Sequence, residues 1–247
     1  MNNMTSNHIL TEIKKFLSYS KARHYIEFDD DIYYEISGLK AKIVNFFNLI
    51  YRIINLKSKK INIGERIVEI PFLYKNFDFN EMEKILDLGC VGSKISMQLA
   101  SLGYKVVGID YRPFIFKHKN LEFIQGNFFD IDLPNESFDC VICISTIEHI
   151  GLPAYNIKPF EHGDKKAIEK IYNLLKIGGK LILTVPFGKA IVDPFERNYD
   201  QKSLEQLIHR FRILEFEIYE RSKNGWVISE NQSNKLKKVA CVVGIKA

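Results

Sequence analysis

Residues 84–93 read KILDLGCVGS and join a short apolar run to a turn that contains two glycines. A helix candidate, KISMQLASL, follows at 94–102, so the turn connects a strand to a helix. Glycine at positions 89 and 92 permits a tight turn and lets a ligand approach the backbone without a Cβ in the way. Open α/β sheets bind their ligands at this carboxyl edge of the strands. The stretch therefore predicts a ligand-binding turn.

Further apolar runs alternate with helical segments on the C-terminal side of this turn. The runs are KVVGID (105–110), LEFIQ (121–125), FDCVICIS (138–145), KLILTVP (180–186), RILEFEIYER (212–221) and KVACVVGIK (238–246). Helix candidates lie at 164–176, with Asp164 as N-cap and Gly178-Gly179 as the stop, and at 201–210. This alternation predicts an α/β fold with a mostly parallel sheet and helices on both faces.

The N-terminal third has a different pattern. Residues 9–26 and 32–56 carry apolar positions at helical spacing before any strand-like run, which predicts an N-terminal helical cap over 1–80 ahead of a main domain at 81–247. The apolar stretch 43–54 is too short to span a bilayer and is interrupted by Asn and Arg. Contact with a membrane surface is therefore disfavoured.

Composition places the chain among ordinary globular proteins. It has 247 residues, 46% of them hydrophobic and 26% charged, which favours one main domain. The net charge of +5 comes from dispersed lysines and short clusters, a pattern that disfavours a nucleic-acid partner. Four scattered cysteines and a polar start, MNNMTSNH, indicate neither a disulfide framework nor a secretory segment, so the reducing cytoplasm is the expected location.

A possible metal pair occurs in the run FDCVICIS. Cys140 and Cys143 form a C-x-x-C, but residues three apart on a strand point to opposite faces. No second Cys or His pair at metal-binding spacing accompanies them. We therefore expect no metal site.

An acidic residue at the tip of the second run strengthens the prediction of a nucleoside site. Asp110 follows Gly89 by 21 residues, where a carboxylate can accept both hydroxyl protons of a ribose. The same geometry serves nicotinamide cofactors, but their fingerprint in this register requires glycine where Val91 and Lys94 stand. A nucleoside cofactor without phosphates has no need of the phosphate-cradling turn, and it is favoured.

The third run ends in Asn127 and Phe128, where an adenine ring could be bound. Asn127 could accept from the exocyclic amine while Phe128 packs on the ring. Each residue also has a structural alternative, because Asn is common after strands and Phe in cores.

Three stretches together resemble class I S-adenosylmethionine-dependent methyltransferases. They are DLGCVGSKISMQLASLGYKVVGID (87–110), IQGNFFDIDLPNESFDCVICISTIEHIG (124–151) and LLKIGGKLILTVPFG (174–188). The resemblance covers about residues 81 to 247. Four shorter stretches, GERIVEIPFL, STIEHIGLPAY, LTVPFGKA and RNYD, are similar to a bacterial branch encoded with surface-polysaccharide and capsule genes.

The resemblance implies a Rossmann-like, seven-stranded sheet whose last strand is antiparallel, with S-adenosylmethionine as cofactor and S-adenosylhomocysteine as product. It implies Gly89 and Gly92 beside the methionine part, Asp110 on the ribose and Asn127 near the adenine. The remaining candidate cofactor residues are Asp87, Phe128 and Ser145. Two positions depart from the family pattern, because Ser93 replaces a usual third glycine and Asn127 a usual aspartate.

The acceptor is expected beside the segment STIEHIG (145–151), which follows the fourth run at the same edge. His149 is the candidate general base for an alcohol acceptor, and Glu148 could orient it or hold the substrate. Alternatively, His149 caps the following turn and Glu148 faces water.

The loops 150–163 and 187–200 follow strands at the same edge, where loops commonly shape specificity. Their candidate acceptor-binding residues are Tyr155, His162, Arg197 and Tyr199. Solvated loop side chains are the alternative. Upstream, Arg66 and Glu69 could fold over the amino-acid end of the cofactor, or form a surface ion pair.

The leading hypothesis is O-methylation of a sugar, a nucleotide-linked sugar or another surface-glycan precursor. A nitrogen, or an oxygen on a phosphorus-containing substituent, stays open as the acceptor atom. A nucleic-acid methyltransferase is the alternative enzyme, although the Asn/Asp-Pro-Pro-aromatic turn of enzymes that act on exocyclic amines is absent. A non-catalytic, cofactor-binding scaffold is the alternative of another class.

Overall fold

A computed structural model of the protein describes residues 24–29, 32–36, 63–154, 157–223, 225–229 and 237–247. The chain divides into two compact units, Met1–Asn62 and Ile63–Ala247. The boundary therefore falls before helix α1 (Arg66–Asn76), which belongs to the second unit although the predicted cap extended to residue 80.

The described part of the first unit is a β-hairpin. Strands β1 (His24–Asp29) and β2 (Ile32–Ile36) pair antiparallel, with Glu27 opposite Tyr33. The prediction of helices is wrong over 24–26 and 32–36, because tyrosine and isoleucine favour the extended backbone of a strand pair. The rest of the predicted cap up to residue 62 lies outside the described residues.

The second unit alternates strands with helices. Its further helices are α2 (Ile95–Ser101), α3 (Gly163–Leu174) and α4 (Gln201–Leu207). Its strands are β3 (Lys84–Leu88), β4 (Lys105–Asp110), β5 (Leu121–Gln125), β6 (Phe138–Ile144), β7 (Leu175–Phe187), β8 (Ile191–Val192), β9 (Arg197–Asn198), β10 (Phe211–Ser222), β11 (Gly225–Ile228) and β12 (Lys238–Lys246).

Eight of these strands form one sheet in the order β11-β10-β12-β7-β6-β3-β4-β5. Strands β5, β4, β3, β6 and β7 are parallel, and β12 is antiparallel to both of its neighbours. The predicted α/β fold with an antiparallel last strand is therefore confirmed. The sheet has eight strands where seven were predicted. The additional strand is β11, a four-residue run that pairs with β10 at the sheet edge and is too short to stand out in the sequence.

This strand order places a crevice beside β3. The chain proceeds from β3 through β4 to β5 on one side and returns to β6 and β7 on the other. The connection from β3 leads to β4 on one side, and the connection from β6 leads to β7 on the other. The gap between β3 and β6 is therefore the topological switch point, where open α/β sheets bind ligands. The glycine turn at 89–92 lies at this point.

The two faces of the sheet pack into separate core layers. One layer contains Cys143 with Leu86 and the buried side of α3, and the other contains Cys140 with Ile85 and α2. The expectation that Cys140 and Cys143 point to opposite faces is confirmed. Among the described residues, no helix combines the length and the apolarity that a membrane crossing requires.

The helix predictions need one correction at α3. The helix begins at Gly163 and its N-cap is His162, so the assignment of Asp164 as N-cap is wrong. Asp164 lies in the first turn and is buried, because its carboxylate has partners inside the protein that are described below. The strand β7 also begins at Leu175, before the predicted stop at Gly178-Gly179.

Ile142, on the central strand β6, tests the packing of the sheet. Its side chain is fully buried, so Ile142→Ala should lower the free energy of unfolding by about 2–5 kcal/mol through the cavity it leaves. Ile177→Ala is the matched control, since this side chain is 74% exposed and its loss should change stability by less than about 0.5 kcal/mol. Urea unfolding of both variants measures the difference, and equal losses would contradict this core assignment.

Candidate functional site

The turn after β3 is shaped for close approach to its neighbours. Gly89 has φ +82°, and a Cβ added there would lie 2.1 Å from Thr146 Oγ1. Its N–H donates to the carbonyl of Ile109 at 2.8 Å, which ties the turn to β4. At Gly92 an added Cβ would lie 3.4 Å from Arg112 Nη2 and 3.8 Å from Arg66 Nη2. Two guanidinium groups therefore border the turn.

An open cleft lies over this turn. Its volume is about 870 Å³ with the open solvent at its mouth included. Its walls follow the ends of β3, β4, β5 and β6: Arg66, Leu88, Gly89, Gly92, Ile109, Asp110, Tyr111, Arg112, Gly126, Asn127, Phe128, Phe129, Ser145, Thr146, His149, Ile150, Gly151, Ile157 and Phe160. Eight of the residues proposed from the sequence line this one cleft: Arg66, Gly89, Gly92, Asp110, Asn127, Phe128, Ser145 and His149.

Asp110 makes four hydrogen bonds within the chain. Its Oδ1 accepts from Arg112 N at 2.9 Å and Arg112 Nε at 3.1 Å. Its Oδ2 accepts from Val91 N at 3.0 Å and Arg112 Nη2 at 2.9 Å. Burial raises the pKa of Asp110, but the bonds from Arg112 and Val91 outweigh it and hold the pKa below its usual value. The carboxylate is therefore ionised and its acceptor positions are occupied.

Arg112 was not foreseen from the sequence. Its side chain is 41% exposed and closes the cleft beside Asp110 with a bidentate ion pair. An arginine two residues after a strand carries no sequence signal of its own, because the same spacing is common in solvated turns.

Asn127 and Phe128 face the cleft, but each also has a local structural role. Asn127 Oδ1 accepts from Phe129 N at 3.1 Å, and its Nδ2 donates to Asp130 Oδ2 at 3.1 Å. Phe128 is buried, with Lys170 Nζ 4.8 Å from its ring centre. The amide of Asn127 therefore stabilises the turn after β5.

Ser145 is held by a buried carboxylate. Glu69 Oε1 accepts from Ser145 Oγ and from Thr184 Oγ1, both at 2.6 Å, and Glu69 Oε2 accepts from Arg66 Nη1 at 2.7 Å. Ser145 has φ +42°, a backbone conformation that is unfavourable for a residue with a side chain. The interpretation of Arg66 and Glu69 as a surface ion pair is wrong, because Glu69 is completely buried.

Asp87 lies below the cleft surface. It is 2% exposed and accepts from Ser96 Oγ at 2.6 Å. Burial raises its pKa to about 6, although the bond from Ser96 acts in the opposite direction. Asp87 therefore joins β3 to α2 and does not line the cleft.

Glu148 and His149 occupy the short 3₁₀ helix after β6 (Ile147–His149). Glu148 is 1% exposed, and within the described part of the chain its Oε2 has no hydrogen-bond partner. Burial raises the pKa of Glu148 well above its usual range, because the charged form loses its solvation. Its Oε1 lies 3.8 Å from His149 Nε2. The alternative in which Glu148 faces water is wrong.

The remaining predicted acceptor residues lie apart from the cleft. His162, Arg197 and Tyr199 line a second cavity with Asp164 and the strand β8. Arg197 and Tyr199 both contact Asp164, and Arg197 also donates to main-chain carbonyls of the 148–150 segment. Tyr155 lies outside the described residues. Within the described ranges, no group of three or more His, Cys, Asp or Glu side chains is placed to hold a metal ion.

Comparison with known proteins finds similarity to methyltransferases over part of the chain. Residues 86–183 match the family model of a methyltransferase domain. Over 88 residues the chain is 32% identical to a ubiquinone/menaquinone biosynthesis C-methyltransferase of Enterobacter sp. (strain 638), covering 36% of this chain and 30% of that protein. Over 83 residues it is 35% identical to a mitochondrial ubiquinone biosynthesis O-methyltransferase of Schizosaccharomyces pombe, covering 29% and 30%. The chain thus spans about a third of the length of these curated relatives.

Similarity to a solved structure extends over more of the chain. A SAM-dependent methyltransferase from Methanosarcina mazei superposes with a TM-score of 0.51 at 19% identity, covering 75% of this chain and 99% of that one. At this identity the likeness concerns the fold. Residues 86–183 are thus similar to a methyltransferase domain, in a unit that has the fold of a solved S-adenosylmethionine-dependent methyltransferase.

Glu69→Ala tests the buried carboxylate. The variant leaves the hydroxyls of Ser145 and Thr184 without their acceptor, so the free energy of unfolding should fall by about 2–4 kcal/mol. Glu65→Ala, at the N-cap of the same helix, is the control, because it removes the partly exposed pair with Lys237 and no side-chain capping bond, and it should cost less than about 1 kcal/mol. Denaturant unfolding gives both values. A Glu69 variant as stable as the Glu65 variant would exclude this role.

Asp87→Asn tests the effect of burial on titration. The pKa of Asp87 rises from 3.8 to about 6 on folding, so the folded state binds the proton more tightly and the wild-type free energy of unfolding falls as pH rises across this interval. Asn does not titrate. The stability of the variant relative to wild type should therefore increase between about pH 4 and 6 and stay constant above. Urea unfolding across this range measures it, and a pH-independent difference would refute the shift.

Proposed function

We propose that the protein is an S-adenosylmethionine-dependent methyltransferase that modifies a small molecule at the cleft over the glycine turn. The observation that carries this proposal is the placement of Gly89 and Gly92 opposite Asp110 at the switch point of a methyltransferase fold. The fold alone does not establish an activity, whereas these residues have the chemistry that a nucleoside cofactor requires.

The cleft fits this cofactor in both shape and charge. A side chain at Gly89 would collide with Thr146, so glycine lets the turn pack closely against the segment after β6 in the cleft wall. Asp110 is ionised and at the cleft wall, where it can accept from ribose hydroxyls. Arg66 also lines the cleft, and its link to Glu69 leaves the remaining guanidinium N–H groups to bind a carboxylate such as that of the amino-acid end.

One local rearrangement is required for the ribose to bind. The acceptor positions of Asp110 are occupied by Arg112 and Val91. The side chain of Arg112 is exposed enough to turn outward, which would release two bonds while the backbone bonds stay. Arg112 thus competes with the ribose for Asp110.

When bound, S-adenosylmethionine supplies an electrophilic methyl group that an acceptor atom can take by in-line displacement. The role of this chain is to hold the acceptor close and to remove its proton. His149 lines the cleft and is the candidate base, with its Nδ1 2.7 Å from the carbonyl oxygen of Phe195. Glu148 Oε1 lies 3.8 Å from Nε2, and burial of this carboxyl raises its pKa and favours its neutral form.

For the acceptor we propose a hydroxyl of a sugar, nucleotide-linked sugar or surface-glycan precursor. Support for this class comes from the stretches that resemble the capsule-associated branch. A hydroxylated apolar ring is the second candidate, and one observation favours it: Phe129 and Phe160 meet edge to face at 5.2 Å in the cleft wall, beside Ile150 and Ile157. The names of the quinone-pathway relatives agree with such a ring.

Calorimetric titration tests the cofactor first. We expect saturable binding of S-adenosylmethionine and S-adenosylhomocysteine and no binding of NADH. Methyl transfer from labelled cofactor is then screened against nucleotide sugars, hydroxylated aromatic rings, amines and RNA. Transfer to a sugar supports the leading proposal and transfer to a ring the second. Binding of the cofactor with no transfer to any class would favour a scaffold, and NADH binding alone would refute the assignment.

Variants of the ion pair test the ribose site. Asp110→Asn removes the charged acceptor, so the affinity for S-adenosylhomocysteine should fall by about 10–100-fold. Arg112→Ala removes the competing group, so the affinity should rise by about 2–5-fold. Calorimetry at constant salt measures both. Weaker binding by the Arg112 variant would make that residue a cofactor ligand, and unchanged binding by the Asp110 variant would exclude the ribose assignment.

Substitution of His149 tests the base. His149→Gln should reduce kcat with the acceptor identified in the screen by about 10²–10⁴-fold, the usual contribution of a general base. Its affinity for S-adenosylhomocysteine should stay as in wild type. His209→Gln is the control, since this exposed histidine contacts the carbonyl of Gln206 and should affect neither quantity. A kcat within twofold of wild type for the His149 variant would remove His149 from the mechanism.

A further inference from the structure

Arg197 contacts the backbone on both sides of His149. Its Nη1 donates to the carbonyl oxygens of Glu148 at 3.2 Å and Ile150 at 2.7 Å. These are the carbonyls of the residues immediately before and after His149 in the chain. One guanidinium therefore fixes the main chain at the candidate base, from a position on β9.

The guanidinium is held in turn by the start of α3. Arg197 Nε lies 3.7 Å from Asp164 Oδ1, and the Arg197 side chain is only 11% exposed. Tyr199 donates from its hydroxyl to Asp164 Oδ2 at 3.0 Å. A buried cation is tolerated when an anion neutralises it, and Asp164 is the buried anion here. The contacts thus run from α3 through Arg197 to the 148–150 segment.

The hairpin that β8 and β9 form also contacts the imidazole of His149 directly, through Phe195 between the two strands. The carbonyl oxygen of Phe195 lies 2.7 Å from Nδ1, and the Phe195 ring packs edge to face against the imidazole at 4.7 Å. A carbonyl oxygen can only accept, so Nδ1 carries the proton in this contact. In a neutral imidazole Nε2 is then the basic nitrogen.

The 150–151 segment also packs against α3 backbone to backbone. A Cβ added at Gly163 would lie 2.4 Å from the Ile150 carbonyl oxygen and 2.5 Å from Gly151 Cα. Only a residue without a side chain permits this approach. This packing places Asp164, the next residue, near Arg197. It is made by the main chain at Gly163, Ile150 and Gly151 and not by the side chain of Arg197.

We infer that Arg197 is a positioning residue that, with the carbonyl of Phe195, sets the orientation and the tautomer of His149. Nε and Nη1 of Arg197 are directed at Asp164 and the two carbonyls, and Arg197 is not among the residues that line the cleft over the glycine turn. The consequence for function rests on the proposed role of His149 as base. The tautomer and its dependence on Arg197 are properties of the protein without any acceptor and are measured separately.

Long-range ¹H–¹⁵N spectra of the histidine rings test the inference directly. The chain has six histidines, and the signal lost in His149→Gln identifies His149. At a pH where the ring is neutral, we expect wild-type His149 in the Nδ1–H form. Arg197→Met should shift the Nδ1 and Nε2 resonances towards a mixture of tautomers. Arg212→Met, which changes an exposed arginine on β10, should leave them as in wild type.

A second variant keeps the test decisive if Arg197→Met does not fold, as judged by circular dichroism. Arg197→Lys retains the charge beside Asp164 but replaces the planar fork by a single ammonium, and it should shift the same resonances to a smaller extent. An Nε2–H tautomer in wild type would overturn the inference. Wild-type His149 resonances in every folded Arg197 variant would overturn it as well.

Kinetics separate this inference from the proposed function. Arg197→Met should lower kcat by about 10–100-fold through misplacement of the base, with the affinity for S-adenosylhomocysteine retained. In a His149→Gln background the same change should have no further effect, because Arg197 acts through His149. An undiminished effect there would overturn the positioning role. If His149→Gln retains turnover while the tautomer result holds, the base assignment fails and the structural inference stands.

Discussion

The carboxylate of Glu69 joins the parts of the structure on which the cleft depends. It reaches from α1, outside the sheet, to hydroxyls at the ends of the adjacent strands β6 and β7, and it holds Arg66 at the cleft wall. Ser145 has a backbone conformation that costs free energy, and such conformations persist where the surroundings fix them. The two short bonds to Ser145 and Thr184 supply this constraint. The turn after β6 is then in place to meet Gly89 on β3 and to lead into Glu148 and His149.

Burial shifts the pKa values of two further carboxyl groups, those of Asp87 and Glu148. Arg66 is close enough to lower the pKa of both Asp87 and Glu148, but burial outweighs it and leaves both pKa values raised. Glu69 is ion-paired with Arg66, whereas Oε2 of Glu148 has no hydrogen-bond partner among the described residues and burial favours the neutral form of this carboxyl. A neutral Glu148 offers His149 a polar group without a negative charge. A solvent-exposed carboxylate at the same position in the sequence would be ionised at neutral pH. Burial, and not the local sequence, therefore favours the neutral form at Glu148.

Much of the fold and the cofactor side of the site could be predicted from the sequence. The runs KILDL and KVVGID are strands over the predicted residues, because buried parallel strands are continuous apolar runs. The run LEFIQ is also a strand over the predicted residues and forms the partly exposed edge of the sheet. Gly89 and Asp110 meet at one edge because the parallel register carries them there. The hairpin at 24–36 was missed because tyrosine and isoleucine satisfy helical and extended spacing alike. Arg112 and the buried state of Glu148 depend on tertiary contacts that local spacing does not encode.

The two sides of the cleft are therefore built by different kinds of contact, and this difference bears on specificity. The cofactor side rests on strand ends, whose positions follow from main-chain pairing that tolerates many side chains. The other side depends on contacts between residues more than 40 positions apart, from Phe195 and Arg197 to the 148–150 segment. Substitutions in the hairpin of β8 and β9 can alter how His149 is held without changing the sheet. The proposed cofactor side and the proposed acceptor side are thus held by separate sets of contacts, so a substitution on one side need not disturb the other.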